Sequence, residues 1–133
     1  MKVLLDTHSW AWVFSNNRKQ LSEAALAAVA DADAVCVSPA SIFEIGQKAR
    51  LGKWPDMEAH LHRLEDIFVE RGGTFAPLSP AVCLIASLLE WDHRDPFDRL
   101  IAATAIENGL TLVSADTQFD RITSHKGWMG RVW

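Results

Sequence analysis

Short apolar runs alternate along this chain with longer stretches of helical period, and the alternation predicts strands separated by helices. Lys2 to Leu5 is brief and apolar, the mark of a buried strand, and it breaks at Asp6. A helix then runs through about Phe14. Leu21 to Ala30 is alanine-rich and helical, with Ser22 placed near its start. Ala34 to Val37 predicts a second buried strand. Ser38-Pro39 opens the next helix, a capping hydroxyl followed by proline at the first helical position, and Gly52 ends it after Leu51.

The second half repeats the alternation. Apolar residues at 57, 61, 64, 67 and 68 predict a helix over Met57 to Glu70, stopped by Gly72-Gly73. Thr74 to Leu78 has strand character. Ser79-Pro80 opens a helix to about Leu89, and Asp95-Pro96 opens another that ends near Asn108-Gly109. Leu110 to Ser114 is a clear strand, and Arg131-Val132-Trp133 is a candidate edge strand. Such an order predicts an α/β fold, a largely parallel sheet covered on both faces.

Size and composition narrow the picture. A chain of 133 residues is expected to form one domain, 1–133, and to bury roughly two thirds of its unfolded surface. With 49% apolar residues it needs neither disulfides nor a structural metal to hold a core. Cys36 and Cys83 sit in apolar stretches and read as buried free thiols in a reducing cytosol. The apolar run at the N-terminus is too short for a signal peptide, and no other run could span a bilayer, so a cytoplasmic protein is expected. Net charge is −4, which argues against a basic coat for nucleic acid. Four carboxylates gathered around cations would leave 13 acidic against 13 basic side chains, so the charge is compatible with an RNA substrate.

Four acids carry candidate chemistry. Asp6 follows the first strand directly and Asp116 follows the Leu110 strand, so both can face the crevice beyond the carboxyl ends of one sheet. Asp98 falls in the first turn of its helix and Glu44 in the second turn of the Ser38 helix. Clustered carboxylates repel one another, and a hard divalent cation with open positions removes the conflict. Each acid also has a plainer reading. Asp6 and Asp116 can cap the turns that follow them, Asp95-Pro96-Phe97-Asp98 fits a capped helix start, and Glu44 with Lys48 is an ordinary i, i+4 pair. Periodicity alone does not bring the four together.

The blocks themselves are more specific. Leu4-Leu5-Asp6-Thr7-His8 with Trp12 and Leu21-Ser22 resembles the start of the PIN-domain ribonucleases, and more narrowly the VapC-type toxins of bacterial toxin–antitoxin pairs. Ser38 to Ile45, with Lys48 and Leu51-Gly52-Lys53, is similar to the second block of that family. Asp95 to Ala103 resembles the third, and Ser114-Ala115-Asp116 the fourth. The resemblance implies a PIN-like three-layer sandwich and an endoribonuclease dependent on Mg2+ or Mn2+. It implies that Asp6, Glu44, Asp98 and Asp116 hold the metal, and that water activated there cleaves RNA. It also implies an antitoxin partner of the VapB kind and a homodimer. At the family's spacing Asp98, not Asp95, is the third ligand. Asp95, Ser114 and Thr7 are expected around the ligands, and Asp120 reads as a surface acid.

Other chemistries remain open at this point. Lys48, Arg50, Lys53 and Arg99 could guide RNA phosphates, or could be solvated charge. His8 reads as a packed or capping side chain, and His93, in Asp92-His93-Arg94-Asp95, as a solvated one. A phosphotransferase with Asp6 as nucleophile is a rival, although such enzymes place a second acid where His8 stands. A metal-binding or RNA-binding module without catalysis is another. Trp10, Trp12, Trp54 and Trp91 are core candidates, some of which could line a groove for a partner.

Overall fold

A computed structural model describes residues 1–123 and 125–133. Strands β1 (Lys2–Leu5), β2 (Ala34–Val37), β3 (Thr74–Phe75), β4 (Thr111–Val113) and β5 (Arg131–Val132) form one sheet in the order β3-β2-β1-β4-β5. Every pairing is parallel, with Leu4 opposite both Cys36 and Leu112. Among the described residues six α-helices accompany them: α1 (Thr7–Phe14), α2 (Glu23–Asp31), α3 (Pro39–Arg50), α4 (Leu64–Glu70), α5 (Pro80–Leu88) and α6 (Pro96–Asn108).

The period-2 alternation of a strand explains the layers. Val3, Leu5, Val37 and Val113 point to one face, where they pack with Trp10, Ala25, Ile45, Leu64 and Phe68 from helices. Leu4, Cys36 and Leu112 point to the other, against Ile101, Ala102 and Ala105 of α6 and against Phe119. Val3, Leu4 and Leu5 of the central strand are fully buried on both faces, so the strand runs apolar after Lys2 rather than alternating. Helix, sheet and helix make the three layers.

Capping chemistry sets the helix starts. Ser22, Ser38 and Ser79 each accept a backbone N–H of the first turn, and proline follows Ser38 and Ser79 directly. Gly109 takes the left-handed conformation that closes α6. Because β1 is followed by β2 and β3 on one side while β4 and β5 lie on the other, the chain diverges beyond the carboxyl ends of β1 and β4. An open parallel sheet leaves its binding crevice there.

Three expectations need correction. The region of Met57 to Glu70 is a 3-10 helix over Pro55–Arg63 followed by α4, not one α-helix. Buried Met57, half-buried Leu61 and buried Leu64 are spaced by four and three, which both helix types serve over so few turns. Cys83 is exposed while Cys36 is buried. Helix α5 is apolar nearly all round, yet only the stripe through Val82 and Ala86 packs against α6, so Cys83 faces out. The predicted strand over Thr74 to Leu78 pairs only at Thr74–Phe75. Among the described residues no helix is long and apolar enough to cross a membrane.

Candidate metal centre

The turn after β1 begins the site. Asp6 caps α1, its Oδ1 accepting the Ser9 N–H at 2.8 Å. Its Oδ2 accepts the hydroxyl of Ser114, at the end of β4, at 2.5 Å. That hydroxyl in turn accepts the backbone N–H of Asp116 at 3.0 Å. One buried serine therefore ties the acids of two neighbouring strands together. Beside Asp6 lies the fully buried Ser9 hydroxyl, which has no hydrogen bond of good geometry among the described residues.

Helix α3 brings Glu44 to the same edge. Thr7, next to Asp6, donates its hydroxyl to Glu44 Oε1 at 2.6 Å and lies 2.9 Å from the Ser41 hydroxyl. Glu44 Oε2 accepts from Lys48 at 2.6 Å, so one ammonium already answers this buried carboxylate. Asp98 arrives on the first turn of α6, where the helix dipole favours an anion. Its Oδ2 lies 2.6 Å from His93 Nε2. Donor atoms of His93, Asp98 and Asp116 all fall within 4.8 Å of one another.

Electrostatics reflect the crowding. Burial pushes the Asp6 carboxyl above its ordinary value, against the hydrogen bonds from Ser114 and Ser9. Burial also pushes Asp98 up to about 6, opposed by the His93 hydrogen bond and reinforced by the charges of Asp95 and Glu44. An acid raised by desolvation and by other acids is one that a cation would return to the ionised form. The donor set, carboxylate oxygens with one imidazole and a neighbouring hydroxyl, fits a divalent ion such as Mg2+ or Mn2+. The residues present suit the group.

The PIN domain family matches residues 3–124. This chain belongs to that family. Its sequence is 35% identical over 127 residues to Ribonuclease VapC22 of Mycobacterium tuberculosis, covering 93% of this chain and 92% of that protein. The PIN fold is also shared with VapBC-5 of the same organism, a toxin–antitoxin family member, at a TM-score of 0.67 and 15% identity over 98% of this chain and 97% of that one. VapBC2 of Rickettsia felis, solved on a promoter DNA fragment, superimposes at 0.65 with 18% identity over the whole of both chains.

Within this PIN domain the expected residues fall as follows. Ser114 joins Asp6 to Asp116, Thr7 beside Asp6 holds Glu44, and the Glu44 charge reaches Asp98, but of the four acids only Asp98 and Asp116 fall in the close donor group with His93. Asp95 caps α6 through the Phe97 N–H at 2.9 Å and adds its charge near Asp98. Asp120 is exposed and held by both sides of the Arg131 guanidinium, which also reaches the Ser114 carbonyl. Arg50 and Lys53 are exposed, and Lys48 lies over the Trp54 ring at 5.8 Å.

Arg99 does not fit the role of an RNA contact. Its guanidinium donates to the carbonyls of Ala86, Leu89, Trp91 and His93, a set of partners that leaves no fork for phosphate. His93 is likewise not a solvated loop residue: its ring is half-buried against Trp91 and Asp98. Nothing in the polar run Asp92 to Asp95 signals this, because the Arg99 contacts that place His93 are tertiary. His8 is exposed and stacks on Trp54 at 4.9 Å. Trp10 and Trp91 are core, whereas Trp12 and Trp54 are half-buried.

Proposed function

We propose that the chain, as a single PIN domain over 1–133, is a metal-dependent endoribonuclease and the toxin of a toxin–antitoxin pair in the cytoplasm. The observation that carries this reading is the acidic edge at the crevice of a PIN fold, where Ser114 joins Asp6 to the backbone of Asp116 and the Asp116 carboxylate lies close to Asp98. Likeness to Ribonuclease VapC22 supports RNA as the substrate.

In this reading Asp6, Glu44, Asp98 and Asp116 hold Mg2+ or Mn2+. The bound cation supplies Lewis acidity that activates water and stabilises the departing 3′ oxygen of the phosphodiester. The chain's own groups do the rest. Thr7 and Ser114 fix the carboxylates of Glu44 and Asp6, so the acidic edge is formed before substrate arrives. Arg50 and Lys53, exposed beyond Glu44, offer positive charge to the RNA backbone, whereas Lys48 is paired with Glu44. Arg99 serves the fold and stands outside this set.

The toxin–antitoxin complexes of similar fold support an antitoxin as partner. A cavity of about 150 Å³ lined by Trp10, Phe14, Val29, Val35, Phe68 and Arg71 offers its chain an apolar seat. A homodimer is supported by the exposed Leu84 and Leu88 on α5.

Purified protein incubated with RNA and Mg2+ or Mn2+ is expected to leave fragments with 5′-phosphate and 3′-hydroxyl ends, and a chelator is expected to stop the cleavage. Asp6→Asn and Asp98→Asn should each lower the rate at least about 100-fold with the circular dichroism spectrum kept. Cyclic 2′,3′-phosphate ends would show the 2′-hydroxyl as nucleophile instead. Binding of RNA without cleavage would make the chain a module rather than an enzyme.

A further inference from the structure

We propose that His93 is a nitrogen ligand of the metal centre beside Asp98 and Asp116, and that it makes this site prefer manganese to magnesium. The inference rests on the metal reading above and extends it to a residue outside the four acids. Its first support is distance. His93 Nε2 and Asp98 Oδ2 are 2.6 Å apart, and the donor atoms of His93, Asp98 and Asp116 lie within 4.8 Å of one another. Neighbouring ligands on one octahedral ion stand about 3 Å apart and opposite ones about 4.0–4.2 Å, so the hydrogen-bonded His93–Asp98 pair has only to open by a few tenths of an ångström and exchange its shared proton for an ion that Asp116 also reaches.

Its second support is that the imidazole is held in place. The Trp91 ring packs on it with centroids 4.8 Å apart. Behind the ring, the His93 carbonyl accepts from Arg99 at 3.0 Å, and the same guanidinium grips the carbonyls of Ala86, Leu89 and Trp91. A loop that only needed to be soluble would not be tied down at four carbonyls. The clasp leaves Nε2 on the Asp98 carboxylate, and the side chain remains 23% exposed.

A third support comes from the neighbouring cations. Lys48 is committed to Glu44, and Arg99 to backbone carbonyls. Neither answers Asp98. The imidazole is the basic side chain placed on that carboxylate, and a neutral imidazole is a ligand rather than a competing charge. Magnesium takes oxygen donors and keeps its waters, whereas imidazole nitrogen is a donor for the transition ions, of which manganese is the one that also suits carboxylates. One nitrogen among oxygens therefore shifts preference without excluding magnesium.

The test is pulsed electron paramagnetic resonance on the intact protein loaded with Mn2+, alongside titrations of Mn2+ and of Mg2+ by competition. Wild type is expected to show 14N modulation from a directly bound imidazole, and His93→Gln to lose it. That variant should bind Mn2+ about 10-fold or more weakly while Mg2+ affinity changes by less than about threefold. Binding of Mn2+ that depends on Asp98 but shows no 14N coupling would overturn the role of His93 and leave the acidic site standing. Coupling that persists in His93→Gln would overturn it as well. Failure of wild type to bind either ion would remove both the ligand assignment and the metal reading beneath it.

Discussion

Asp98 shows how a single half-buried side chain can make a crowded acidic edge costly to fold. In the folded chain burial holds its pKa at about 6, above the ordinary carboxylate value of 3.8 that the unfolded chain regains. The folded state therefore binds more protons between these values, and this group's contribution is lost as pH rises through about 6. Asp6, also raised by burial, pulls the same way. Metal-stripped protein should lose thermal stability between about pH 4 and pH 7, and Asp98→Asn should flatten part of that slope and raise Tm at neutral pH. A Tm series across pH on both proteins checks the sign. The two thiols make a second contrast at this scale. Cys36 is buried with its pKa raised by desolvation, and Cys83 is exposed. One thiol should label rapidly in the native protein and two in guanidinium, and Cys83→Ser should abolish the rapid one. The sequence reading placed both thiols inside because apolar neighbours do not reveal which stripe of a helix finds a partner.

At the scale of elements, caps and proline starts made α2, α3, α5 and α6 legible, since Ser22, Ser38, Ser79 and Asp95 all use their side chains as the sequence implies. The acids were half legible for a related reason. Asp6 and Asp116 do cap the turns that follow them, through Ser9 and Gln118, while sharing the Ser114 hydroxyl on the crevice side. Capping and the Ser114 link use different atoms, so the plain reading of these acids leaves the proposed one open. What stayed hidden was Arg99. A lone arginine on a helix next to acids looks like surface charge, and only the fold reveals four carbonyls waiting for it. Arg99→Ala should cost about 2–4 kcal/mol, because several partly buried acceptors lose their donor at once. Arg99→Lys should not restore the loss, since an ammonium lacks the planar fork. Urea unfolding of the three proteins measures this.

Over the whole molecule the sheet order concentrates chemistry at one edge and leaves an apolar surface elsewhere. Leu84 and Leu88 on α5 are 61% and 70% exposed, one turn apart. If this face joins two copies, Leu84→Lys with Leu88→Lys should turn a dimer into a monomer by light scattering, with monomer stability changed by less than about 0.5 kcal/mol. A wild type that already runs as a monomer would remove that reading.

The Ser114 bridge has a consequence in time. Asp6 and the serine that holds it are separated by 108 residues along the chain. A chain leaving the ribosome exposes β1 first, and at about 5–20 residues per second several seconds pass before β4 exists to pair with it. Until then Asp6 has neither Ser114 nor Asp116 beside it, and β1 has only β2 as a neighbour. If the proposed activity is right, a nascent chain cannot cut the message that encodes it. The hazard begins only after translation is nearly finished, when a partner made alongside it would already be at hand.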